Sequence, residues 1–331
     1  MTRAVKPWRE WSRSVGYSLL IGVAFTGALL SLGLFASAPV SGDERLVVAD
    51  LRGHALVVID PARPDEARRI SLPGGPHELL QMPDGRIAVS LEQSGAVAIV
   101  DIESGAIESL ETGGLPHGLA LQRTLEGDRL LVTDREHDAV RRFAVGSAAS
   151  TWNELEAIAV AGWPHAVVAG SGGSVAVARA RDSMLSMDGR DIAVSALPET
   201  LALAPDGDRF ATAGAMGGAV QIVNRDGSVE QDVPVGGRPV RAAFSPDGAL
   251  VAVALSASSE VALVDRAGGV RRVVVAGTPD GLAFSTDRRR LFAGDMAGGR
   301  VTVVEVTTGR VLAVIGAGVS AGSLIVLDRA R

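Results

Sequence analysis

A phrase of about 40 residues recurs along the chain and constrains its fold more than any other feature. Each copy has a small residue or glycine, often a proline, one variable residue, an apolar strand, a turn and a second apolar strand. The plainest copies are GGPHELLQMPDGRIAVS, PETLALAPDGDRFATA, GRPVRAAFSPDGALVAVA and GTPDGLAFSTDRRRLFAG. Successive copies are spaced by 40, 48, 34, 41 and 40 residues. The variable residue is His77, His117, His165, Glu199, Val240 and Asp280.

Two further strands follow each phrase, for example AVQIVN or EVALVD and then RRVVVA. Four strands in about 40 residues is the period of a β-propeller blade. Residues 45–72 supply the second, third and fourth strands of one more blade, and residues 318–327 supply its inner strand. We therefore predict an all-β, seven-bladed β-propeller of four-stranded blades over residues 41–331, closed by pairing of the C-terminal inner strand with the N-terminal strands.

The N-terminus has the pattern of a targeting segment. Residues 1–14 are basic, and residues 15–40 contain no charged side chain. About 20 apolar residues suffice to cross a bilayer, and a basic flank stays in the cytoplasm. We expect residues 15–40 to be a signal anchor or a signal peptide, with the length favouring an uncleaved anchor. Cleavage sites after Ala38 or Gly42 are the alternative. Either case predicts a periplasmic or extracytoplasmic propeller, and the expected contact with the membrane is through residues 15–40 only.

Composition excludes several chemistries. The chain has no cysteine, and its only lysine and only tyrosine are Lys6 and Tyr17. A cysteine nucleophile, thiolate metal sites and a Schiff-base lysine in the propeller are therefore excluded. The net charge is -6, and since the first 38 residues carry +3, the remainder carries about -9. Nucleic-acid binding needs a basic face and is not expected.

The sequence resembles the YVTN repeats of the YncE-like propeller family. The resemblance covers residues 45–331 and is carried by PHGLAL at residues 116–121, by the Pro-Asp-Gly turns and by RLLVTDREHDAVRRFAV at residues 129–145. It implies a seven-bladed propeller. Relatives of that fold include lactonase-like hydrolases, a DNA-binding periplasmic protein and the propeller domains of copper and haem reductases, so the fold alone does not select a function.

One face of such a ring carries the loops before the inner strands, and we expect a ligand to bind there. The predicted site consists of variable positions, ends of second strands and one neighbouring arginine. Its residues are His77, His117, His165, Glu199, Arg241, Asp280, Asp134, Arg179, Asp295 and Asp50. On the outer side, residues 145–154 lengthen one hairpin and are expected to expose Trp152.

Three of the five histidines occupy one repeat position in consecutive blades. If His77, His117 and His165 converge, they could bind a divalent metal such as copper, zinc or iron. The alternative is that each imidazole only bonds a neighbouring loop. No other cofactor is indicated by the sequence.

Three functions remain open at this stage. The leading hypothesis is an exported, membrane-tethered binding or scaffold module for a protein or small ligand. The second is a lactonase-like hydrolase that uses histidine and carboxylate groups at the channel mouth. The third is a metal-binding accessory of a periplasmic redox or metal system.

Overall fold

The computed structural model describes residues 44–328, and these residues form seven four-stranded antiparallel sheets. The predicted helix over residues 15–40 lies outside the described part. Within residues 44–328, no helix has the length and apolar character needed to span a membrane.

The 28 strands fall into seven blades, which are named here in chain order of their inner strands. Blade 1 contains β4 (Leu79–Gln81), β5 (Ile87–Leu91), β6 (Ala96–Val100) and β7 (Ile107–Glu111). Blade 2 contains β8 (Pro116–Thr124), β9 (Gly127–Asp134), β10 (Ala139–Ala144) and β11 (Asn153–Ala159). Blade 3 contains β12 (Pro164–Ala169), β13 (Val175–Arg179), β14 (Met184–Met187) and β15 (Arg190–Ala193). Blade 4 contains β16 (Pro198–Leu203), β17 (Arg209–Gly214), β18 (Ala219–Asn224) and β19 (Val229–Pro234).

Blade 5 contains β20 (Pro239–Phe244), β21 (Leu250–Leu255), β22 (Glu260–Asp265) and β23 (Val270–Val274). Blade 6 contains β24 (Pro279–Phe284), β25 (Arg290–Asp295), β26 (Arg300–Glu305) and β27 (Val311–Gly316). Blade 7 contains β28 (Ala321–Asp328), β1 (Glu44–Asp50), β2 (Ala55–Asp60) and β3 (Arg63–Ser71). Short 3₁₀ helices lie at Glu92–Ser94, Ala149–Thr151 and Ser171–Gly173.

Blade 7 confirms the predicted closure. Strand β28 is the inner strand and pairs antiparallel with β1, so that Glu44 lies opposite Asp328 and Val48 opposite Leu324. Each inner strand also contacts the inner strands of the blades on both sides, from β28 and β4 round to β24 and β28. Residues 44–328 therefore form a continuous ring in which the first and last described strands pair in one sheet, which leaves no unpaired edge at the closure.

Apolar faces of neighbouring blades pack against each other and form the core. Leu46 and Val48 of blade 7 pack with Phe292 and Val301 of blade 6, and all four are fully buried. Valine is the most frequent side chain of this core, followed by alanine and leucine. β-Branched valine suits a pleated surface that is buried on both sides.

A buried ion pair fixes the first described residue to blade 6. Glu44 and Arg290 are 2% and 5% exposed, and the Arg290 guanidinium donates to Glu44 Oε2 at 2.8 Å. The backbone N–H and the hydroxyl of Thr286 both donate to Glu44 Oε1 at 2.6 Å. Glu44 thus links β1 to the turn between β24 and β25.

The long hairpin of blade 2 corrects one expectation. Trp152 was expected to be exposed, but it is only 7% exposed and packs with Phe143 and Leu130. Its indole N–H donates to the Gly146 carbonyl at 2.9 Å. The insertion therefore folds back and covers its own blade, which satisfies the one polar atom of the buried ring.

Candidate functional site

The loops that precede the inner strands surround a cavity of about 330 Å³ at one end of the channel. This end is called the channel mouth below. All six variable positions line it, namely His77, His117, His165, Glu199, Val240 and Asp280. At the start of the inner strand of blade 7, Ala321 is completely buried.

In blades 2 to 6, a β-bulge at the start of the inner strand aims the variable side chain at the mouth. In blade 3, Pro164 pairs with Arg179 and Ala166 with Ala178, so His165 is an extra residue between them. The same shift occurs at the corresponding position in blades 2, 4, 5 and 6. Bulges bend a strand and redirect a side chain, and they are common next to functional sites.

The rings of the three histidines lie in a row along the mouth, with neighbouring planes tilted by 49° and 52°. The ring centroids of His77 and His117 are 4.1 Å apart, and those of His117 and His165 are 3.9 Å apart. Gly118 allows this approach, because a Cβ at this position would lie 2.7 Å from the His165 carbonyl oxygen. The repeat position therefore brings the three imidazoles together, as the functional interpretation requires.

A hydrogen bond fixes the tautomer of His117. Its Nδ1 lies 2.9 Å from the His165 carbonyl oxygen. Since a carbonyl only accepts, Nδ1 carries the proton and donates it, which leaves a lone pair on Nε2. That Nε2 is buried and has no hydrogen-bond partner among the described residues.

Burial keeps the inner imidazoles neutral. The pKa of His117 lies well below its usual value because of burial first and then repulsion from the neighbouring imidazoles. Burial, followed by the positive charge of Arg135, lowers the pKa of His165 to about 3. Both rings therefore act as neutral donors and acceptors at physiological pH.

A partly buried charge network lies beside the histidines. The Arg241 guanidinium donates to Glu78 Oε1 at 2.7 Å and to Asp280 Oδ1 at 3.1 Å, and the Ser323 hydroxyl donates to Glu78 Oε2 at 3.3 Å. Burial opposes ionisation of Glu78, but the charge of Arg241 outweighs it, so the pKa of Glu78 lies well below its usual range. Glu78 is therefore a fixed carboxylate.

Arg135 and Trp163 form one wall of the mouth. Arg135 pairs with Glu92, and its guanidinium carbon lies 4.7 Å from the centre of the Trp163 ring. The Trp163 ring is 5.7 Å from that of His165. Trp163 has a φ of 63°, a left-handed conformation that Leu197 and Arg238 share at the equivalent position before the proline of the inner strand.

Glu199 differs from the other carboxylates at the mouth. It is half-buried, and its carboxyl group takes part in no hydrogen bond or ion pair within residues 44–328. Burial, and to a lesser extent the negative charge of Asp280, raises the pKa of Glu199 against the opposing effect of Arg238 and Arg241. An unpartnered carboxyl group with a raised pKa is a candidate general acid or base.

Four of the residues predicted from strand ends are not part of the cavity lining: Asp50, Asp134, Asp295 and Arg179. The three aspartates are almost fully buried and accept backbone N–H groups. Asp295, for example, accepts from Thr278, Ala297 and Gly298. Arg179 pairs with Asp182 and Asp191 within blade 3. The structure therefore gives these residues a role in holding loops together.

Sequence reasoning did not select Glu78, Trp163 or Met296, which all belong to the mouth or its network. A signal for Glu78 was present, because it occupies the same repeat position as Arg241, one residue after the variable residue. Two opposite charges at equivalent positions of a ring can meet across its axis, as these two do.

Two histidines and a carboxylate provide a possible ligand set. One ligand atom from each of His77, Glu78 and His117 can be chosen so that all lie within 4.8 Å of one another. The His165 imidazole is not part of this group among the described residues, although its backbone carbonyl orients His117.

Comparison with known proteins supports the fold. No protein-family model matches the chain, and no curated protein sequence matches it. A functionally unknown protein from Desulfotomaculum acetoxidans superposes with a TM-score of 0.72 and 11% identity, over 86% of this chain and 99% of that one. A Bacteroides fragilis protein provisionally named as a 6-phosphogluconolactonase superposes with a TM-score of 0.69 and 16% identity, over 87% of this chain and 99% of that one. The third structure is a catalytically inactive histidine-to-alanine variant of virginiamycin B lyase from Staphylococcus aureus with quinupristin. It superposes with a TM-score of 0.64 and 10% identity, over 83% of this chain and 92% of that one. At these identities the likeness establishes the seven-bladed propeller fold.

Proposed function

We propose that this chain is a YncE-like propeller that binds a small polar ligand at the channel mouth. The observation that carries the proposal is the cavity of about 330 Å³, which is of the size that small-molecule sites occupy. The charges around it converge from several blades rather than from one surface loop. A binding role for the mouth also agrees with the leading sequence-based hypothesis.

The lining indicates the chemistry of the ligand. Trp163, Val240 and Met296 provide apolar surface, while Arg238 is an exposed guanidinium with no ion pair among the described residues. An apolar ring or chain that bears a carboxylate or an ester carbonyl fits this combination, because its oxygen can accept from Arg238. Arg241 is already occupied by Glu78 and Asp280 and is expected to position these carboxylates instead.

A lactonase-like hydrolase is the second candidate. It is favoured by Glu199, which has a raised pKa and a carboxyl group without a hydrogen-bond partner. Such a group can act as a general base that takes a proton from water, and the water then attacks a carbonyl held by Arg238. The provisional lactonase and the lyase among the structural neighbours are consistent with such chemistry but concern those proteins only.

A ligand panel can test both candidates with one set of variants. We expect a small carboxylate or lactone to raise the melting temperature, since a ligand at 100 times its Kd stabilises by about 2.7 kcal/mol. Arg238→Gln and Trp163→Ala should remove this shift, whereas Arg289→Gln, at an exposed arginine on the opposite face, should not. Ring opening that Glu199→Gln abolishes, with binding retained, would select the hydrolase. A shift that persists in both mouth variants would contradict a ligand site at the mouth.

We further propose that residues 15–40 export the propeller and tether it to the cytoplasmic membrane. The support is the uncharged segment after a basic flank. We expect the full-length mass in the membrane fraction and protease access to the propeller from the outer side. A soluble exported chain that starts after Ala38 or Gly42 would replace the tether by a cleaved signal peptide, and an intact cytosolic chain would contradict export.

A further inference from the structure

Two unpartnered imidazole nitrogens and a fixed carboxylate converge at the channel mouth. His117 Nε2 and His77 Nδ1 are both buried and without a hydrogen-bond partner. The Nδ1–H of His117 donates to the His165 carbonyl, which directs the lone pair of Nε2 away from that bond. Metal-binding histidines almost always have such a bond from the second nitrogen, because it sets the tautomer and the ring orientation.

The spacing of these groups suits a tetrahedral ion. His77 Nδ1 lies 3.5 Å from Glu78 Oε1, which is too long for a good hydrogen bond. Ligand bonds of roughly 2.0–2.2 Å at a tetrahedral ion place two ligand atoms about 3.4 Å apart. The third ligand atom, from His117, lies within 4.8 Å of both, a separation that a small ring rotation can shorten.

We propose that His77, Glu78 and His117 bind one divalent first-row transition ion, with zinc as the reference ion. Two imidazoles and one carboxylate are a known ligand set for zinc and for ferrous iron. This set retains His77 and His117 from the three histidines considered above and replaces His165 by Glu78. The inference rests on the proposed use of the mouth, because the remaining coordination position would face the cavity.

The surrounding charges allow a cation at this place. Arg241 is the nearest guanidinium, and Asp280 shares its charge with Glu78. Ser323 donates to the second oxygen of Glu78 and so orients the carboxylate.

Zinc titration by calorimetry tests the ligand set. The full chain, without a histidine affinity tag, is first stripped with chelator and then titrated with zinc chloride. Cobalt(II) titration provides a second readout, since its visible absorption reports on coordination geometry. We expect one ion per chain, and we expect His77→Asn and His117→Asn to weaken binding by at least about 100-fold. Glu78→Gln should weaken it too, and its melting curve shows whether loss of the Arg241 pair affects folding.

His165→Asn is the matched control, because it removes a histidine from the same row but keeps the backbone carbonyl that orients His117. We expect its zinc affinity to stay within about threefold of the unchanged chain. A loss of zinc affinity in His165→Asn equal to that in His77→Asn would overturn the proposed ligand set. So would the absence of binding at millimolar zinc, or an unchanged zinc affinity in His77→Asn. The partly exposed His77 makes that variant the least disruptive to the fold. Ligand binding measured in chelator is a separate readout, so failure of the metal site and failure of the ligand site can be distinguished.

Discussion

Glu44→Ala is expected to lower the free energy of unfolding by about 3–5 kcal/mol, because it leaves a buried charge without its partner. Arg290 is 5% exposed and has its closest carboxylate contact with Glu44 at 2.8 Å. Asp287 lies at 4.0 Å and cannot replace that hydrogen bond. The N–H and hydroxyl of Thr286 would also lose their acceptor.

Urea unfolding at neutral pH measures this effect, with Glu66→Gln as the control. Glu66 also pairs with an arginine, Arg63, but both side chains are more than half exposed. Exposed pairs contribute about 0–1 kcal/mol, so the control should unfold close to the unchanged chain. A similar decrease in the free energy of unfolding for Glu44→Ala and Glu66→Gln would show that the ion pair of Glu44 with Arg290 does not stabilise the closure.

Deletion of residues 317–331 is expected to prevent stable folding. It removes β28, which pairs with β1 at six positions, and each ladder bond contributes about 1 kcal/mol. It also removes Leu324 and Leu327, which are 4% and 6% exposed and would each cost about 2–5 kcal/mol even on truncation to alanine. The combined loss is comparable with the whole stability of a typical domain, about 5–15 kcal/mol.

Circular dichroism melting and size-exclusion chromatography can test this deletion. A chain truncated after Asp328 is the control, since it retains every described residue, and we expect it to melt with the full chain. The chain without residues 317–331 should show no cooperative melting transition, or one at a much lower temperature. A deleted chain that melts at the same temperature as the full one would refute closure by β28.

The ring and its closure could be predicted from the sequence because both follow from periodicity. Apolar runs of four to six residues recur with a fixed spacing. Residues 45–72 lack an inner strand, and residues 318–327 supply one. The channel positions followed for the same reason, since equivalent residues of a repeat occupy equivalent places in the ring. His77, His117 and His165 therefore meet in the structure.

The functional details depend on geometry that periodicity does not encode. His77 and Glu78 precede β4, so the alternation of sides along a regular strand does not predict that both lie at the mouth. The bulges at the inner strands of blades 2 to 6 are not visible in the residue pattern either. Asp134 and Asp295 were predicted to face the mouth because they end second strands. Their side chains instead bond to nearby backbone N–H groups, which is a common role for aspartate beside a tight turn.

The pairing of β1 with β28 also governs the order in which the molecule can be completed. Residues 44–50 are made early, yet their inner neighbour is residues 321–328, so the contact has nearly the largest sequence separation that the described chain allows. Contacts of this kind raise the contact order and slow folding. During synthesis, β1 presents a free strand edge until the last residues emerge, and such an edge can pair with other chains. The architecture that removes exposed edges from the finished ring thus concentrates the risk of misassembly in the interval before its final strand arrives.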